Sequence, residues 1–194
     1  MAEPSREERI LATAERVHEA IQQCGVDSAV IGAIALAVHG YPRATEDVDL
    51  ATDTDPFTKL REIKAAIERL GLDATLNEPD ADDPLGGVIT AGGSGVGTVQ
   101  IVNFYNPLSR QQNPGGEAIR TALTGALIGT SLKVVDLPHL IALKLYGGGA
   151  KGQLDVTELL ERNDLALLPE IKRVCARFGL LEPLQTILRS LKLG

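Results

Sequence analysis

Residues 31–50 read IGAIALAVHGYPRATEDVDL, and this stretch decides the fold. From Glu46 to Ala51 acids and apolar residues alternate, the period-two pattern of a half-buried strand. Successive side chains on a strand point to opposite faces. Asp47 and Asp49 therefore share one face, while Val48 and Leu50 point into the core. Neighbouring carboxylates repel, and partial burial makes the repulsion worse. A divalent cation between them removes the conflict. Oxygen ligands of this kind suit Mg²⁺ or Mn²⁺, which keep waters and bridge to substrate phosphates. An exposed strand edge carrying two solvated acids is the competing reading of D-x-D by itself.

Immediately upstream, residues 28–31 form a short apolar run, expected to be a buried strand. Gly32 marks a strand-to-helix junction whose helix amides could hold phosphate. Residues 33–38 read as a short helix that His39 and Gly40 close, with His39 as its C-terminal cap. Pro42 forces an extended link. Arg43 either clamps a phosphate bidentately or pairs with Glu46 or Asp47 at the start of the strand. Thr45 reads as a phosphate-side or turn hydroxyl.

Farther out, residues 6–23 have helical apolar spacing, with Ser5 and Glu8 as a capping box and Gly25 as a stop. A helix is expected over 57–70, and a strand over 73–76. An acidic Pro/Gly loop follows over 77–87. Strands at 88–91 and 98–104 flank a Gly-rich hairpin, 92–97, read as a flexible turn rather than a phosphate loop. Residues 106–116 read as a polar loop and 133–135 as a last strand. Helices follow from Asp136 to Tyr146, over 154–161, 169–178 and 182–191, with Gly147–Gly149 as a breaker. The fold class is thus α/β (α+β), a mixed sheet flanked by helices with a helical C-terminal third. The expected division is a core at 1–135, N-terminal helix included, and a helical region at 136–194 packed on it.

Composition bounds the function. The chain has 194 residues, 44% hydrophobic and 23% charged, enough for a real core. Three Tyr, three Phe and no Trp argue against a single-strand base-stacking platform. The net charge of −7 disfavours non-specific duplex DNA binding. It is unevenly spread: residues 1–100 hold 18 acids and 8 bases, residues 101–194 hold 8 acids and 11 bases. Such a split suits a cation held beside a phosphate-rich ligand. Cys24 and Cys175 make no metal spacing and are expected to be buried thiols in a reducing cytoplasm. The start, MAEPSREER, is not a secretory n-region, and the longest apolar run, 29–38, is about half a membrane span. No membrane partner is expected.

Gly32-Ala33, His39-Gly40, Arg43, Thr45 and Asp47-Val48-Asp49-Leu50 together resemble the nucleotidyltransferase superfamily, in its minimal bacterial branch of AbiEii-like and MenT-like toxins. A looser similarity covers residues 134–160, VVDLPHLIALKLYGGGAKGQLDVTELL. The resemblance implies catalytic roles for Asp47, Asp49, Lys144 and Asp155. It implies nucleotide contacts from Gly32, Ala33, Arg43, Thr45 and Lys144, and metal ligation by Asp47 and Asp49. Lys144 interrupts an apolar run and so needs a partner or an exit to water. Asp155 reads, without the resemblance, as a helix-start acid facing the macrodipole.

Three departures stand against it. Ala33 occupies a position usually Ser or Gly, and Gly152 follows Lys151 where the family has Asp. Gln100 stands where a third carboxylate completes the site. A neutral amide ligates weakly and is no base. Asp53, Asp55 or an acid of the 78–83 loop could replace it in space. The leading expectation is metal-dependent transfer of an NMP from an NTP to an acceptor hydroxyl of tRNA or protein, in a toxin-antitoxin setting. An antitoxin or an adjacent gene product would then be a partner. Lys172, Arg173, Arg177, Arg189 and Lys192 would meet tRNA or form a solvated helix face. The alternatives are a degenerate member of the fold that binds nucleotide or a partner without catalysis, and a purely structural interaction protein.

Overall fold

A computed structural model describes residues 5–93, 96–109 and 111–193. The expected N-terminal residues 1–4 and the hairpin centre, Ser94 and Gly95, lie outside the described residues. The architecture is a mixed α/β fold: one central sheet flanked by helices, with a helical C-terminal region.

The chain opens with α1 (Arg6–Gln23). Its capping box is complete: Glu8 N–H donates to Ser5 Oγ at 3.1 Å, and Ser5 N–H to Glu8 Oε2 at 2.6 Å. Then come β1 (Ala29–Val30), α2 (Gly32–Val38), β2 (Asp47–Thr52), α3 (Lys59–Arg69), β3 (Asp73–Asn77), β4 (Val88–Gly93) and β5 (Gly97–Asn103). After α4 (Gly115–Arg120) the chain is helical: α5 (Leu137–Gly147), α6 (Gly149–Arg162), α7 (Leu168–Arg177) and α8 (Leu181–Ser190).

The sheet order is β1-β2-β5-β4-β3, with β2 and β5 parallel and the other pairs antiparallel. The β2–β5 register sets Asp47 against Thr98 and Asp49 against Gln100. Val48, Leu50, Val99 and Ile101 are fully buried and join a core that continues through Val134, Leu140, Val156 and Leu188.

Three expectations need correction. Residues 133–135 form no strand; Val134 makes only isolated bridges to Val30 and Leu123. The polar loop 106–116 runs into α4, whose Gly-Gly start hides a single short helix. The helix expected from 154 begins at Gly149, which places Lys151, Gly152 and Asp155 on one element. Gly152 has a packing reason: a Cβ there would lie 2.6 Å from the Lys144 carbonyl oxygen, so α6 could not lie this close to α5. Among the described residues, no helix is long and apolar enough to cross a membrane.

Candidate active site

Asp47 and Asp49 are half-buried on one face of β2, with Val48 and Leu50 buried behind them. They line a cleft of about 650 Å³ with Gly32, Ala33, Arg43, Thr45, Lys144 and Lys151. The link before β2 serves Asp47 directly: the Thr45 hydroxyl lies 2.7 Å from Asp47 Oδ1 and 3.0 Å from its carbonyl oxygen. From β5, Gln100 Nε2 donates to Asp47 Oδ2 at 3.2 Å. Gln100 thus stands next to the acid pair and orients it, carrying no charge of its own.

Asp49 is differently placed. Its carbonyl oxygen accepts from Ile31 N–H at 2.9 Å, which docks the β1–α2 turn over the strand. Its carboxylate receives no hydrogen bond from any described residue. Burial pushes its pKa upward and Asp47 adds to the rise; Lys144 and Lys151 pull the other way. Gly32 sits at φ +63°, and a Cβ there would fall 1.9 Å from Asp49 Oδ2. Only glycine serves both the left-handed backbone and the space that this carboxylate fills.

Lys144 and Arg43 converge on a third acid. Lys144 Nζ is 2.8 Å from Asp155 Oδ2, and Arg43 pairs with Asp155 Oδ1. Asp155 is wholly buried, whereas the two cations keep about a fifth and a quarter of their side-chain surface. Asp155 lies roughly two turns into α6, so it is no helix-start acid. Arg43 pairs with neither Glu46 nor Asp47. Its partner is 112 residues away, beyond the reach of local reading.

Other expected residues fall elsewhere. His39 is the C-cap of α2, and its Nε2 lies 2.7 Å from the Val135 carbonyl oxygen. Asp53 lines a separate cavity of about 590 Å³ with Glu117, Arg120 and Arg177. Asp55 accepts from the Phe57 and Thr58 amides ahead of α3, and Asp80 accepts from the amides of Asp82 and Asp83. None of these acids lines the cleft of Asp47 and Asp49. Arg173 pairs with Glu170 and Arg177 with Glu117. Cys175 is buried and its thiol is pushed up to about 12, while Cys24 is only half-buried; both are free. Two cationic cleft residues were missed. Arg6 arrives from α1 and Lys151 from α6, and starting α6 at Gly149 would have revealed the second.

No group of three or more His, Cys, Asp or Glu side chains converges on a metal position among the described residues. Two carboxylates do line one cleft, and Mg²⁺ is commonly held by one or two carboxylates with substrate phosphates completing its shell. The unbonded, electrostatically opposed Asp49 carboxylate fits such an ion.

The backbone is similar to those of solved structures. ANT(2″)-Ia, in its crystal structure with adenylyl-2″-tobramycin, superposes with TM-score 0.54 at 14% identity, over 87% of this chain and 96% of that one. Its solution structure gives 0.50 at 15%, over 94% of each. A candidate nucleotidyltransferase from Thermotoga maritima gives 0.52 at 14%, over 79% of this chain and 93% of that one. The backbone fold is the one that ANT(2″)-Ia and the Thermotoga maritima protein share. No family model matches the chain. No curated protein matches it either. At these identities the superposition establishes the fold, and the chemistry rests on the cleft.

Proposed function

We propose that this protein binds a nucleoside triphosphate with a divalent cation in the cleft of β2, α2, α5 and α6, as a degenerate member of the nucleotidyltransferase fold. One observation carries the reading: an intact Asp47–Asp49 pair whose third position is the amide of Gln100, hydrogen-bonded to Asp47. Asp47 and Asp49 would hold Mg²⁺ or Mn²⁺. A bound ion supplies positive charge that neutralises the carboxylate pair and the phosphates. Lys144 and Lys151 add cationic charge to the same cleft, and Arg43 stands beside them. Asp155 fixes Lys144 and Arg43 by ion pairing and leaves that trio with net positive charge. Thr45 and Gln100 hold Asp47 in one orientation. Gln100 has no group that accepts a proton from an attacking hydroxyl near neutral pH.

The intact acid pair favours a second reading, in which the protein transfers an NMP from the triphosphate to an acceptor hydroxyl and pyrophosphate leaves. The acceptor would be tRNA, a protein or a small hydroxylated molecule of the kind seen adenylylated with ANT(2″)-Ia. An AbiEii-like or MenT-like role, with an antitoxin partner, rests on the motif resemblance alone. The two free thiols suit a cytoplasmic setting.

Titration calorimetry with Mg²⁺ and each NTP, on the wild type and on Asp47→Ala/Asp49→Ala, tests binding. Metal-dependent binding lost in the double variant is expected. Incubation with α-labelled NTPs and total RNA or protein then separates the readings. No label transfer is expected; transfer by the wild type and not by the double variant would establish the enzyme. If no NTP binds, the protein is an interaction module.

A further inference from the structure

We propose that Arg6 is a phosphate-binding side chain, held in reserve by Glu46 and handed to the phosphate tail of a nucleotide when one enters the cleft of Asp47 and Asp49. This rests on the nucleotide-binding reading above, in which Arg6 has no part. Arg6 and Glu46 both line that cleft, and their charged ends lie 3.6 Å apart. They come from different elements: Arg6 is the first residue of α1, and Glu46 immediately precedes Asp47 and β2. Arg6 keeps 65% of its side-chain surface and Glu46 85%. An ion pair that open is weakly held, so Arg6 can change partner at small cost and Glu46 can return to water.

Arg6 also stands at the wrong end of its helix. The N-terminus of a helix carries partial positive charge, which favours acids in the first turn and disfavours a cation. Glu7 and Glu8 follow that rule, and Glu8 closes the capping box with Ser5. Arg6 breaks it, so helix stability does not account for its charge. An anion in the cleft does, because it is drawn by the guanidinium and by the helix end together.

The other paired cations of the cleft are bound differently. Arg43 and Lys144 are tied to Asp155, a carboxylate with no exposed surface. Their partner is fixed in the core. The partner of Arg6 is a surface acid. A guanidinium is also a rigid fork that meets two phosphate oxygens at once, where a lysine offers a point charge. Arg6 is thus the cation of this set that is both suited to a phosphate and free to leave its acid for one.

The test is titration of ATP and of inorganic tripolyphosphate, in excess Mg²⁺ and physiological salt, against the wild type, Arg6→Met, Glu46→Gln, the double variant and Arg16→Met. Arg16 is a cation of the same helix that donates to the Leu70 carbonyl oxygen at 2.9 Å and does not line the cleft, so it controls for the loss of a charge alone. Arg6→Met removes an exposed cation from the positive end of a helix, so the variant should fold. It should weaken ATP and tripolyphosphate by the same factor, about tenfold, with Arg16→Met changing either by less than about twofold. Glu46→Gln should tighten both by about threefold, because the tail no longer competes with a carboxylate for Arg6. In the Arg6→Met background that gain should largely vanish. Equal losses in Arg6→Met and Arg16→Met would overturn the contact. A loss for ATP without one for tripolyphosphate would place Arg6 on the nucleoside and overturn the phosphate assignment. Equal tightening by Glu46→Gln with and without Arg6 would overturn the handover. Binding of neither ligand by the wild type would overturn the nucleotide reading and this proposal together, whereas wild-type binding that Arg6→Met leaves unmoved would overturn this proposal alone.

Discussion

Lys144 and Asp155 meet at 2.8 Å across the α5–α6 junction, with Arg43 on the other oxygen of the same buried carboxylate. Removing the acid and removing one cation are therefore unequal. Lys144→Met leaves Asp155 with Arg43, whereas Asp155→Leu leaves two cations facing each other. Both cations retain some exposure and can turn towards water, so Asp155→Leu should cost less than the ~3–5 kcal/mol of a fully buried broken pair. A loss of about 1–3 kcal/mol is expected, and Lys144→Met should cost less than Asp155→Leu. Urea denaturation of both variants checks this. Equal losses would mean that Arg43 does not share the acid.

Gln100 keeps the acid pair at two. Gln100→Glu places a third carboxylate beside Asp47 and Asp49. Like charges about 4 Å apart repel by about 1 kcal/mol in water and about 4 kcal/mol at an effective dielectric near 20. Without metal, the melting temperature should fall. With millimolar Mg²⁺ it should recover, by more than Mg²⁺ raises that of the wild type. Thermal melts with and without the ion decide. A variant indifferent to Mg²⁺ would remove the metal from this cleft.

Gly32 and Gly40 both adopt positive φ, +63° and +86°, but only Gly32 faces an obstacle. Gly40→Ala should show backbone strain alone, about 1–2 kcal/mol. Gly32→Ala adds the displacement of the Asp49 carboxylate, so it should lose more stability and weaken Mg²⁺-dependent nucleotide binding by about tenfold or more. Calorimetry on the two variants compares them directly. Equal effects would show that Asp49 simply moves aside.

These residues also mark what a linear reading reaches. Asp47 and Asp49 were legible because a strand has period two and the Val48 and Leu50 between them need burial. Gln100 was legible only through the resemblance, which expects a carboxylate on the strand at 98–104; the β2–β5 register sets it opposite Asp49. The start of α6 was not, because Gly147–Gly149 read as a breaker and the helix was expected only from 154. Gly152 is there for close approach to the Lys144 carbonyl, a contact between elements. Arg43 was legible as a charge needing a partner, but Asp155 becomes that partner only when α6 packs against α5. The short α4 has too little periodicity to stand out from its glycines.

His18 gives the pH prediction. It is buried between α1 and the sheet, with Nδ1 2.6 Å from Ser28 Oγ. Burial pushes its pKa below the ordinary 6.5, and Lys133 pushes the same way against weaker pulls from Asp27, Glu19 and Glu15. Below about pH 6.5 the unfolded chain takes up a proton that the folded chain resists. Stability from this group is therefore complete above that pH. It is lost as the pH falls through the window between the unfolded and folded values, by up to about 1.4 kcal/mol per pH unit. Carboxylates contribute mainly at lower pH, where the ordinary Asp and Glu values lie. Urea midpoints between about pH 5 and about pH 8 should show a decline that begins near pH 6.5. His18→Gln keeps a polar partner for Ser28 and removes the titration, so its curve should be flat across the upper part of that range. A decline of the same slope in His18→Gln would assign the proton to another group.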